Sequence, residues 1–198
     1  MSRIAEINGL LAPPRPQAPT APTDMTFGSV LNQASASAGV AGAAPAGWAQ
    51  GGGGVGQKMV ALAQAEVGQA EQPPGSNDSP RISQYRSATA GSGVGPWCAY
   101  FVSWAAQQAG SPIGEQGQGF GSVAAVMDWG QRTGRALPAG STPQPGDLIV
   151  WGGRHIGMVE SVLPDGRIQT IEGNSSDQVA RRTHDARGDG AIGYVRLG

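Results

Sequence analysis

The run of glycines from Gly51 to Gly54 separates two stretches of different composition and confines any hydrophobic core to one of them. From Ala12 to Gly56 the chain is dominated by Ala, Pro, Gly, Ser and Thr. Such a stretch has too few large apolar side chains to offset the entropy of ordering its backbone. Residues 1–56 are therefore expected to form a disordered arm and linker, and residues 57–198 one globular domain, which suits a chain of 198 residues. Two pieces of the arm have helical spacing, Ile4, Ile7, Leu10 and Leu11, then Phe27, Val30 and Leu31. Either is suited to docking on a partner when one is present.

Composition removes several function classes. A net charge of -1, with charged residues at 14%, provides no dense positive field of the kind that binds a phosphate backbone, so no nucleic-acid partner is expected. The single cysteine rules out an intramolecular disulfide, and no Cys and His cluster is spaced to close a structural zinc site. The first apolar run is far shorter than a signal-peptide core and meets prolines at once, so neither a Sec signal nor membrane insertion is expected.

Beyond Val55 the patterning becomes regular. Residues 57–68 place Met59, Val60, Ala63 and Val67 on one helical face, with Gly68 as a stop. A turn-rich loop, residues 71–80, precedes a short helix-forming piece at 81–88. Pro96, the periodicity of Phe101, Val102, Ala105 and Ala109, and the terminal Gly110 mark the clearest helix of the sequence, with Cys98 in its first turn. A further helix is expected over 123–134, and strands over 147–151, 155–162, 167–172 and 193–197. Helices followed by a run of strands indicate an α+β fold with an antiparallel sheet.

A thiol becomes a strong nucleophile as thiolate, which the positive end of a helix and a neighbouring imidazole both favour. Cys98 has the helix start, and two histidines are available. His155 opens an apolar strand directly after a Gly-Gly-Arg turn, whereas His184 lies in a polar stretch that reads as a loop, so His155 is the expected base. Glu172, at the end of the next strand, is placed to fix the tautomer of His155, with Asn174 just beyond it. A lone cysteine is more often a small core residue than a nucleophile. The ordered set of Cys on a helix, His on a strand and carboxylate on the following strand outweighs that reading.

The segments PWCAYFVSWAAQQAG, PGDLIVWGGRHIGMVES and IQTIEGN resemble the three signature blocks of CHAP domains, the cysteine- and histidine-dependent amidohydrolases/peptidases among papain-like cell-wall hydrolases. The resemblance implies a papain-like fold, with the nucleophile at a helix start packed on the sheet. It also implies that Cys98 attacks an amide carbonyl, that His155 takes and returns the proton, and that Glu172 orients His155, with Asn174 assisting or substituting for Glu172. An oxyanion would be met by the backbone N–H of Cys98, since helix-start amides are unpaired. Asn77 and Tyr85 are upstream candidates for a second donor, and Trp97 is a candidate wall of the substrate groove. Asp147 is assigned to the turn before its strand.

Some relatives carry an Asp-rich calcium loop before the cysteine. Here that stretch is TAGSGVGPW, without a carboxylate, so no metal or other cofactor is expected and hydrolysis should survive EDTA unchanged; restoration by calcium after its loss would refute this. The implied substrate is bacterial peptidoglycan, cut as an N-acetylmuramoyl-L-alanine amidase or as a peptide endopeptidase. A catalytically silent binding or targeting module, a secreted effector and a phage-type lysin are the alternatives. Such a substrate lies outside the cytoplasm. Export by a specialised route, with a secretion or appendage component binding the arm, is the expected localisation.

Overall fold

A computed structural model describes residues 54–198. The arm up to residue 53 and both of its helical pieces lie outside the described residues. Among the described residues four helices come first: α1 (Val55–Ala65), α2 (Pro80–Arg86), α3 (Cys98–Gln108) and α4 (Val123–Arg132). Six strands follow: β1 (Ala136–Pro138), β2 (Leu148–Trp151), β3 (His155–Val162), β4 (Ile168–Glu172), β5 (Ala180–His184) and β6 (Gly193–Val195). They form one sheet in the order β1-β6-β2-β3-β4-β5, antiparallel at every pairing. This is the expected α+β architecture.

Local chemistry explains where the helices begin. In α2 the Ser79 side chain accepts from the Ile82 N–H, and Pro80 takes the first helical position, where its missing N–H costs nothing. Ser122 caps α4 in the same way. By contrast, α3 begins at Cys98 with no side-chain cap on its first turn. Its initial amides are thereby left for another acceptor.

The core is built around α3. Residues Cys98 to Ala106 are all buried, and the helix packs on α1, α2, α4 and β3. Strand alternation then separates the two faces of the sheet. Leu148, Val150, Ile156, Met158, Ile171 and Val195 join the helices in the main core. Ile149, Val159, Ile168, Ala191 and Tyr194 form a second cluster, with Trp151 against it.

Three differences from the sequence reading have physical causes. Val67 falls beyond the end of α1 and is 37% exposed, whereas Met59, Val60 and Ala63 are buried as expected. Gly56 is a packing residue at the start of α1: a Cβ there would lie 2.4 Å from the Pro145 carbonyl oxygen. The polar stretch holding His184 is strand β5, paired along its whole length with β4. Asp147 does hold its turn, accepting from the Gln144 N–H at 2.7 Å, and it also pairs with Arg196 near the end of the chain.

Candidate active site

Cys98, the first residue of α3, is a free cysteine and is 4% exposed. Burial alone would make it an inert core thiol. His155, the first residue of β3, changes its setting, because Cys98 is among the groups that raise the affinity of that imidazole for a proton. The other side of His155 is fixed by Glu172 at the end of β4, with 2.8 Å between Nε2 and Oε2. That leaves Nδ1 as the ring nitrogen free to serve the sulfur.

Glu172 is almost wholly buried, and three groups converge on it. His155 meets Oε2, while the Thr170 hydroxyl donates to Oε1 at 2.6 Å and His184 Nε2 lies 2.7 Å from the same oxygen. Burial pushes this carboxyl up, but the bonds from His155, His184 and Thr170 outweigh it and hold the group well below the usual carboxylate range. Burial likewise opposes charge on His155. The Cys98 and Glu172 contacts prevail there, and the imidazole is pushed up to about 9.

Two glycines make room for this arrangement. A Cβ on Gly157, in β3, would lie 2.7 Å from Glu172 Cγ. A Cβ on Gly173 would lie 2.6 Å from Phe101 Cβ, so the chain after Glu172 crosses α3 at a distance only glycine permits. Gly157→Ala must therefore displace Glu172 from His155. We expect kcat to fall about 10- to 100-fold with a stability loss of about 1–3 kcal/mol, checked by steady-state kinetics and thermal melts. An unchanged kcat would show that Glu172 can move without cost.

Asn174 lies two residues beyond Glu172 in the chain. With its amide assigned so that each atom finds a complementary partner, its oxygen accepts from the Trp97 N–H at 3.3 Å and its nitrogen donates to Glu71 Oε1 at 3.3 Å. It thus holds the residue preceding Cys98. These contacts assign it to the start of α3, whereas the sequence reading had it assisting or replacing Glu172 beside His155.

Two further expectations are corrected. Trp97 is fully buried, stacks on Tyr85 at 5.9 Å between ring centroids and donates its indole N–H to Glu71 at 2.9 Å, so it does not border a groove. Tyr85 is also fully buried and donates its hydroxyl to Glu66 at 2.6 Å. Burial and Glu66 push its phenol above the ordinary value. It is a core residue and not an oxyanion donor. Asn77 is half-buried, and its backbone N–H donates to Glu71 Oε2 at 2.8 Å. Glu71, read from sequence as part of a solvated loop, is thus the buried tie between that loop and the start of α3.

The sequence comparisons bear on this same set of residues. Residues 89–174 match the family model described as CHAP domain. Over that segment, which is less than half of the chain, the sequence is similar to CHAP domains. The matched segment contains Cys98, His155, Glu172 and Asn174 and ends before β5, so His184 lies outside it. Among solved structures, an N-acetylmuramoyl-L-alanine amidase from Staphylococcus aureus is similar at 22% identity with a TM-score of 0.40, over 53% of this chain and 31% of that one. The chain therefore spans less than a third of that protein's length. No curated protein matches the sequence.

Proposed function

We propose that this domain is a thiol-dependent hydrolase of amide bonds in bacterial peptidoglycan. The observation that carries the reading is the convergence of Cys98, His155 and Glu172, within the matched CHAP segment, at the uncapped start of a buried helix. The Cys98 thiolate attacks the amide carbonyl carbon and forms a C–S bond while the carbonyl π electrons move to oxygen. The backbone N–H of Cys98 faces that oxyanion. Collapse breaks the C–N bond, and the amine leaves with the proton held by His155. Water then attacks the thioester, giving its proton to His155 and releasing the acid and the thiolate.

Digestion of purified sacculi by the full chain and by Cys98→Ala, with mass spectrometry of the products, tests the reading. Soluble muropeptides released only by the parent chain support it. Free stem peptides beside intact glycan identify an amidase, and loss of cross-links alone identifies an endopeptidase. No release by a folded parent chain sinks the proposal. The reading also requires that the protein reach the wall, for which we propose specialised export using residues 1–56.

A further inference from the structure

His184 is bound at both ring nitrogens. Nε2 lies 2.7 Å from Glu172 Oε1 and Nδ1 lies 2.8 Å from Asp189 Oδ2. The side chain is only 14% exposed. The loop after β5 is folded to present Asp189: its backbone N–H donates to Asp185 Oδ1 at 2.9 Å, and its own Oδ1 accepts from the Asp185 N–H at 3.2 Å. Trp151 braces the assembly. Its ring lies 4.8 Å from His184 and 5.5 Å from His155, centroid to centroid, and its N–H donates to the Gly188 carbonyl at 2.6 Å.

Counting donors sets the charge. An ionised carboxylate only accepts, so Glu172 requires a proton on each of the three groups facing it, Thr170, His155 and His184. Asp189 likewise accepts from Nδ1, and an imidazole that donates from both nitrogens is an imidazolium. Its two carboxylate contacts raise the affinity of His184 for that proton against the effect of burial.

We propose that His184 is a positioning residue, held as an imidazolium between Glu172 and Asp189, which sets how much negative charge Glu172 presents to His155. The proposal concerns the site read above as hydrolytic and rests on that reading for its catalytic meaning. Glu172 from β4 and Asp189 from the loop after β5 bind His184; the other titratable groups around them are His155 from β3, which shares Glu172, Asp185 and Arg187 in the same loop, and Arg182 two residues back on the strand of His184. Removing the positive charge leaves the full charge of Glu172 to His155. The imidazolium of His155 must then persist to higher pH.

The chain contains two histidines, so NMR titration of the imidazole C–H resonances follows both, and one substitution assigns them. In His184→Gln the midpoint of His155 should rise by about half to one pH unit, the size expected for a unit charge lost one carboxylate away in a partly hydrated site. Asp189→Asn, at an exposed position that leaves the imidazole in place, should move it in the same direction by less, and it carries the test alone if His184→Gln does not fold. A His155 midpoint that stays put or falls in the folded variant overturns the proposal. A purely structural His184 would cost stability without raising that midpoint. The titration needs no wall substrate. Failure of sacculus digestion with the midpoint shift intact would therefore sink the hydrolase reading alone, and the converse result would sink this one alone.

Discussion

Cys98→Ser should lower the rate of sacculus hydrolysis by about 10³-fold or more while leaving the melting temperature nearly unchanged. Serine is close to cysteine in size, so the tight packing at the start of α3 is kept. The chemistry changes much more. A thiol in general ionises far more readily than a hydroxyl, and the site sets the attacking atom at a helix start beside an imidazolium that persists to about pH 9. A hydroxyl there stays protonated. It would need His155 as a neutral general base during attack, and the contacts at Cys98 and Glu172 are arranged to keep His155 charged. A serine variant within tenfold of the parent would show that the nucleophile lies elsewhere. Iodoacetamide labelling of the parent chain faster than that of a free thiol, in a sequence with a single cysteine, would show that Cys98 is reactive.

The parts of this site that could be read from sequence are those where patterning and chemistry coincide. Helix α3 is apolar on nearly every side, so its period and its Pro and Gly boundaries announce it, and the place of Cys98 at its start follows. His155 and Glu172 lie on strands whose neighbours are β-branched or buried. His184 was missed because β5 is an edge strand, and its sequence, Ala-Arg-Arg-Thr-His, shows the polar character that edges use to resist further pairing. Only the ladder with β4 makes it a strand, and that ladder is a tertiary fact. Trp97 and Tyr85 failed as substrate contacts for a related reason. Each polar tip is satisfied inside the protein by a buried carboxylate, Glu71 from the turn-rich loop or Glu66 from just beyond the end of α1, and neither pairing has a sequence signal. Gly56 shows the same limit, since a glycine at the end of a glycine run looks like linker until the Pro145 turn is seen against it.

Glu172→Gln should cost about 10²- to 10⁴-fold in kcat and should move the pH behaviour of the domain in a direction that separates it from a simple packing defect. Gln nearly preserves the shape but is neutral, and its amide nitrogen donates where the carboxylate accepted, so it cannot satisfy His155, His184 and Thr170 together. The carboxyl of Glu172 is held below its ordinary value of 4.5, so its contribution to stability is present above that pH and is lost as pH falls. His155 is raised from 6.5 to about 9, so its contribution is complete below pH 6.5 and is lost as pH rises through about 9. The coupled pair therefore stabilises the fold most between about pH 4.5 and 6.5. In Glu172→Gln the acid dependence due to this group should vanish from thermal melts. The His155 midpoint should also fall, because the anion that raises it is gone, which is opposite in sign to the rise expected for His184→Gln. A Glu172→Gln variant that keeps the parent's acid dependence and His155 midpoint would mean that the carboxylate does not control the imidazole, and its role in the site would have to be reassigned.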